Sequence, residues 1–381
     1  MQKQTYGEAS MALHKQHTGK LEVNPTVPLD SRDDLSTAYT PGVATPCEAI
    51  AKDPKLAYEL TIKGKMVAVI TDGSSILGLG NIGSLAGLPV MEGKAILFKK
   101  FAGVDAFPIC LGTQDTEEII KTIKNISPTF GAIHLEDIAA PRCFEIEERL
   151  AAELDIPVMH DDQHGTAVVI LAGLLNALKV AQKSLADVRI VISGAGAAGI
   201  ASAKLLLAAG AGHIRMLDSK GIIAEGRDDM NPMKTALAKQ INPAQQTGSL
   251  SDALRGADVF IGVSKPGVLT GDMIKTMAAK PIVFAMANPI PEIMPEEALA
   301  AGAAVVATGR SDFPNQVNNV LAYPGMFLGA MEARKKFTPA MRIAAARALS
   351  ELVKDPTADR ILPSILEAGV SRVVAEAVKK A

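Results

Sequence analysis

Two pairs of carboxylates stand where chemistry could be done. The run HLEDI carries Glu136 and Asp137, and the run VMHDDQHGTA carries Asp161 and Asp162; each pair directly follows a short apolar run of strand length. In a parallel sheet, ligands gather outside the carboxyl ends of the strands. Pairs on neighbouring strands would therefore meet. Three or four carboxylates in one place repel each other unless a cation neutralises them. Ligation by oxygen alone, without cysteine, suits Mg2+ or Mn2+, with water or substrate in the remaining octahedral positions. The competing reading of each pair is an ordinary helix cap. His134, His160 and His164 lie beside the pairs, and a pocket-wall or core role competes with ligation for each.

Two glycine loops offer a second kind of chemistry. GLGNIG (78–83) and GAGAAG (194–199) both have the G-x-G-x-x-G spacing. A dinucleotide loop must follow a strand at once and open a helix, so that backbone N–H groups and the helix N-terminus meet the pyrophosphate. GAGAAG does so: VRIVI precedes it and GIASAKLLLAAG follows. Gly194, Ala195, Gly196, Ala197, Ala198 and Gly199 are thus the expected pyrophosphate loop. Asp218, ending the next strand, is placed to hold a ribose hydroxyl. A carboxylate there favours NAD over NADP, although Lys220 and Arg227 just downstream could offset it. GLGNIG lies seven residues beyond its strand. The SLAGLPVMEG after it, interrupted by Gly87, Pro89 and Gly93, reads as a poor helix.

The elements around these motifs alternate. Strands are expected at 66–70, 95–98, 107–111, 131–135 and 156–160, with helical segments between the later ones. A long helix over 165–182 leads to a second series at 188–192, 214–218, 258–263, 281–287 and 303–309. Such alternation implies mostly parallel sheets covered by helices. The tail from about 325 reads as helical, with Thr338 an N-cap and Pro339 the first helical residue. The expected fold is α/β: an N-terminal α/β substrate and metal domain (1–160), then a C-terminal Rossmann-type NAD(P)-binding domain with a helical tail (161–381).

Composition narrows the function. The 381 residues carry a net charge of −2, 48% hydrophobic and 21% charged residues, no Trp and 4% aromatics. There is no basic field for nucleic acid or an anionic membrane, and few rings for base stacking. Cys47, Cys110 and Cys143 form no C-x-x-C pair, which suits a reducing compartment. The N-terminus has no apolar signal core. The apolar run at 167–178 contains Asn176 and falls short of the roughly 20 residues that span a bilayer. A cytoplasmic protein is expected.

STAYTPGVA (36–44), TDGSSILGLGNIG (71–83), PVMEGKAILF (89–98), HLEDI, HDDQHGTA, GAGAAG, MANPIPE (286–292) and NQVNNVLAYPG (315–325) occur in the order seen in malic enzymes. The chain resembles the short bacterial type over about residues 20 to 380. That resemblance implies oxidative decarboxylation of (S)-malate to pyruvate and CO2 with reduction of NAD(P)+, dependent on Mg2+ or Mn2+, by a homodimer. It implies Tyr39 as general acid, Lys94 as general base, and Glu136, Asp137 and Asp162 as metal ligands, with Asp161 near Lys94. It places Asn288 and Asn319 at the nicotinamide ribose and the substrate, and Gly78, Leu79 and Gly80 along the malate side of the cleft. One departure stands out: where longer members often carry a carboxylate-clamping Arg, this chain has Ser75, after Ser74. The clamp would then fall to the metal, to hydroxyls and backbone N–H groups, or to a basic residue elsewhere. Malolactic decarboxylation with NAD retained, and a non-catalytic nucleotide sensor, are the alternatives.

Overall fold

The computed structural model describes residues 5–76 and 78–381; Leu77, inside the TDGSSILGLGNIG run, lies outside them. The chain opens with four short helices, α1 (Tyr6–His17), α2 (Arg32–Ala38), α3 (Ala44–Lys52) and α4 (Ala57–Leu60), none of which has a buried residue. Capping boxes at Thr5 and Ser31 nevertheless define the starts of α1 and α2.

The first sheet is parallel, in the order β2-β1-β3-β4, built from β1 (Met66–Thr71), β2 (Asp105–Cys110), β3 (Ala132–Leu135) and β4 (Val158–His160). Val67, Ala68, Val69 and Ile70 of β1 are wholly buried, as a strand covered on both faces requires. The second sheet runs β10-β9-β8-β5-β6-β7. Its strands are β5 (Arg189–Ser193), β6 (His213–Asp218), β7 (Gly221–Ile222), β8 (Val259–Gly262), β9 (Ile282–Ala285) and β10 (Val305–Thr308), with only the β6–β7 pair antiparallel. This is the two-domain α/β fold expected, with a Rossmann-like second sheet.

One expected element is overturned. AILF (95–98) is not a strand, and SLAGLPVMEG is not a poor helix: both belong to α5 (Ser84–Ala102), with Pro89 inside it. The helix buries Gly87, Met91, Ala95 and Phe98 along one stripe. Two glycines and an internal proline cost roughly 1 and 3 kcal/mol apiece. Burying Met91 and Phe98 returns about 1.5–3 kcal/mol each, and the rest of the packed stripe adds to that. Tertiary packing therefore overrides local preference.

The helices α6 (Thr116–Ile126) and α7 (Arg142–Glu153) flank the first sheet, and α8 (Asp161–Ala181) passes to the second. Among the described residues α8 is the one helix long and apolar enough to cross a membrane, longer than the apolar run suggested, but most of it is buried inside the protein. Gly173 lets α8 pack at van der Waals distance on the Phe284 ring of β9. Asn176, wholly buried, donates to the Ser350 and Ile361 carbonyls and so ties α8 to the C-terminal helices. Thr338 caps the helix Pro339–Leu352, as its sequence implied.

Candidate active site

Strand β3 ends one residue before Glu136, and β4 ends where α8 begins with Asp161 and Asp162. The two strands are adjacent and in register, Leu135 opposite His160. The acidic pairs therefore meet. Ligand-capable oxygens of Glu136, Asp137 and Asp162 all lie within 4.8 Å of one another, as do atoms of His134, Glu136 and Asp161. Asp137 holds a left-handed backbone at φ 54, and its N–H donates to Asp162 Oδ2 at 2.9 Å. Burial, then the charge of Glu136, pushes the Asp162 carboxyl above its ordinary value. Crowded, partly desolvated carboxylates of this kind fit a hard divalent cation.

Lys94, from the middle of α5, closes one side. Its Nζ lies 2.5 Å from Asp161 Oδ2 and 2.9 Å from Glu136 Oε1, with its side chain only 11% exposed. Burial opposes its charge, but Asp161 and Glu136 outweigh burial and hold the ammonium well above the usual lysine range. Asp161 is wholly buried, and burial raises its carboxyl despite Lys94. Gly165, one turn on, is required here: a Cβ would lie 1.8 Å from Asp161 Oδ1. Asn319 donates to Asp161 Oδ2 at 2.6 Å.

Several wall and core residues hold the acids in place. His134 Nε2 lies 2.6 Å from Glu136 Oε2, and burial lowers the imidazole to about 3, so it is a neutral donor that orients that carboxylate. Tyr323 places its ring centroid 4.8 Å from Lys94 Nζ and is wholly buried, beside Phe98 and His134. Behind α8, Glu147 accepts from the His160 and Gln163 N–H groups and from His164. Burial opposes its charge, yet His164 and Arg342 hold Glu147 down at about 2. Burial meanwhile lowers His164, which serves as a neutral donor.

The glycine loops take different roles. Gly194 sits at φ 119 directly after β5, and a Cβ on Gly199 would meet the Gly194 carbonyl oxygen at 1.8 Å, so strand and helix α9 (Ala197–Ala208) approach closely. A Cβ on Gly196 would meet nothing within 4 Å, which leaves its backbone open. Asp218 ends β6, as expected for a ribose-binding carboxylate. Arg227 and Lys234, however, already hold it at 2.9 and 2.8 Å. Gly78 packs against the opposite loop: a Cβ there would come within 2.7 Å of the Asn288 carbonyl oxygen. Glu292 braces that loop, accepting from the Ala287 and Ser264 N–H groups.

The N-terminal domain of malic enzymes matches residues 18–151, and the malic enzyme NAD-binding domain matches residues 163–381. The chain belongs to the malic enzyme family. It is 56% identical to the bifunctional malic/malolactic enzyme of Bacillus subtilis, over 98% of this chain and 92% of that one. It is 57% identical to the NAD-dependent malic enzyme of Geobacillus stearothermophilus, over 95% of this chain and 76% of that one. The crystal structure of the Pyrococcus horikoshii malic enzyme superposes with a TM-score of 0.95 at 50% identity, covering 99% of this chain and 90% of that chain.

In this malic enzyme fold, not every expected site residue joins the cluster. Tyr39 follows directly on α2 as its C-cap residue and is 66% exposed, in contrast to the buried acids around Lys94. Leu79 is also exposed. Ser75 donates its N–H to the Asp137 carbonyl. Beside that turn lies Arg142, whose Nη2 is held by Asp72 at 2.7 Å.

Proposed function

We propose that the acidic cluster and the GAGAAG loop serve one reaction: oxidative decarboxylation of (S)-malate to pyruvate and CO2 with reduction of NAD(P)+. The observation that carries it is the shared Asp161 oxygen, which seats Lys94 beside an all-oxygen cation site. Glu136, Asp137 and Asp162 would hold Mg2+ or Mn2+, which supplies positive charge to acidify the C2 hydroxyl and to stabilise the enolate left by decarboxylation. Gly194 to Gly199 would hold NAD(P)+, which would supply the acceptor for the C2 hydride.

The protein's own groups move the protons. Lys94 accepts the hydroxyl proton, and it must first give up the proton that Asp161 and Glu136 favour. A cation held by Glu136 would leave Lys94 with only one of those two partners. Tyr39 gives a proton to C3 and recovers one through Lys94, which passes on the proton it took from the hydroxyl. One proton leaves the hydroxyl and one reaches C3, so the sequence balances. Asn319 positions Asp161 and faces the substrate, and Asn288, with Gly78, Leu79 and Gly80, closes the opposite wall.

We place the functional division at 1–160 and 161–381. A homodimer and a cytoplasmic location complete the reading; three free cysteines support the latter. Malate, NAD+ or NADP+, and Mn2+ should give NADH or NADPH and pyruvate in equal amounts. The likeness to a bifunctional malic/malolactic enzyme favours a second reading, in which lactate leaves and no net reduced cofactor accumulates. Product analysis separates the two. A pure nucleotide sensor would give neither product.

A further inference from the structure

We propose that the second sheet carries a binding site for a small polyanion, at the end of its strands opposite the cofactor loop. The ligand class is one with clustered anionic oxygens, supplied by a tricarboxylate or by a phosphate. The inference stands apart from the reaction read above.

Strand register is the first argument. Arg189 opens β5, His213 opens β6, and the two are paired. Side chains opposite one another on adjacent strands share a face, about 5 Å apart. Arg215 follows His213 by two residues and so returns to that face. Both guanidinium groups lean over one short stretch. Arg215 Nη1 donates to the Ala253 carbonyl at 3.3 Å. A Cβ on Gly256 would lie 3.0 Å from Arg189 Nη2 and 3.3 Å from Nη1, so that guanidinium lies across the Gly256 backbone. Ending the helix Leu250–Leu254 calls for one cation at most. Two guanidinium groups and an imidazole exceed that need.

A cavity and its missing acids are the second argument. Arg189, His213 and Arg215 line a cavity of about 290 Å3 with Gln240, Asn242 and Gln246, and its lining contains no Asp or Glu. That size is near the lower end of ligand pockets, which run from about 300 to 1,000 Å3. The nearby acids are committed elsewhere. Asp258 is held by Lys183 at 2.7 Å and by the Arg189 N–H at 2.9 Å. Asp252 accepts from the Ser249 N–H and hydroxyl. Among the described residues, none of the three basic side chains has a carboxylate partner. Like charges placed side by side on a sheet repel. The planar fork of arginine matches carboxylate and phosphate oxygens, so an anion here relieves the repulsion and fills unused donors.

The wall opposite is fixed. The Asn242 amide donates to the Ile223 and Gln246 carbonyls, and its oxygen accepts from the Gln246 N–H. The cofactor does not reach this place. β5 runs from Arg189 to Ser193, just before Gly194, and β6 from His213 to Asp218. The cavity therefore lies about 13–17 Å from the pyrophosphate loop and the ribose carboxylate.

Calorimetric titration of the NAD+-loaded protein with tricarballylate, and separately with inorganic phosphate, tests this. NAD+ fills the glycine loop, and without added divalent metal the acidic cluster repels anions. At least one probe should bind. Arg215→Gln and Arg189→Gln should each weaken that binding about tenfold or more, with Tm, NAD+ affinity and basal turnover close to wild type. Added salt should weaken it further. The second variant, at an exposed strand end, guards against a folding defect in the first. Binding of tricarballylate alone identifies a carboxylate ligand, and binding of phosphate alone a phosphoryl ligand. No binding of either probe overturns the site. Binding that both variants leave unchanged places the anion elsewhere and overturns it equally.

Discussion

Asn319 reaches the same oxygen of Asp161 that holds Lys94: the amide nitrogen is 2.6 Å from Asp161 Oδ2 and the ammonium 2.5 Å. One buried carboxylate thus joins α5, the start of α8 and the segment before the helix Tyr323–Ala333. Replacing Asp161 by Asn keeps the shape and removes the charge that favours protonated Lys94. The lysine pKa should fall, so the pH limb governed by Lys94 moves to lower pH. Turnover should drop about 10²-fold or more as the base loses its alignment. A pH profile of kcat for the variant checks both; an unmoved limb would separate Lys94 from the proton transfer.

The cation site should depend on His134 as well as on its acids. His134→Phe keeps the aromatic packing with Phe98 and Phe327 but deletes the N–H that orients Glu136. Mn2+ affinity should weaken about 10–100-fold with Tm nearly unchanged, read by titration followed through Mn2+ electron spin resonance. Chelation of the wild type should abolish turnover, and Mn2+ should restore it.

Cofactor choice should turn on Arg227 and Lys234. While both hold Asp218, the carboxylate repels a 2′-phosphate less, and two cations stand ready for it. Arg227→Ala with Lys234→Ala frees the charge of Asp218. The KM for NADP+ should rise about tenfold or more, the scale of losing a charged hydrogen bond, while that for NAD+ changes little. Binding of 2′,5′-ADP by calorimetry gives the same comparison without turnover.

Glu147 should shape acid stability. Its folded carboxyl sits near 2, below the unfolded value. A depressed carboxylate contributes stability that is present above the unfolded pKa and is lost as pH falls toward the folded one. For a group this buried the contribution is at most about 3 kcal/mol. Glu147→Gln should therefore cost most at neutral pH, and its Tm should converge on that of the wild type as pH falls from about 5 toward 3. A constant difference across that range would assign the cost to packing alone.

What was legible in the sequence follows from rules that act locally. The acidic doublets could be read because strand ends in a parallel sheet converge, and the GAGAAG loop because strand, turn, helix and acid come within thirty residues. α5 was not legible: Gly87, Pro89 and Gly93 argue against a helix, and only the stripe through Met91 and Phe98, packed in three dimensions, decides it. Glu147 sits in EIEERL among surface charges, and nothing in that run distinguishes the one buried acid. Lys234 lies sixteen residues from Asp218, beyond any motif spacing. Tyr39 could be named by resemblance, but its exposed place at the end of α2 is a property of the folded chain that no motif spacing carries.

His160 ends β4 and also caps α8, so no loop separates the first sheet from the helix that floors the second. The crossing is as stiff as a helix, and Asn176 pins its far end to the C-terminal bundle. Any change of angle between the two sheets along this crossing would have to be absorbed in the backbone of His160 and Asp161 themselves, where strand gives way to helix.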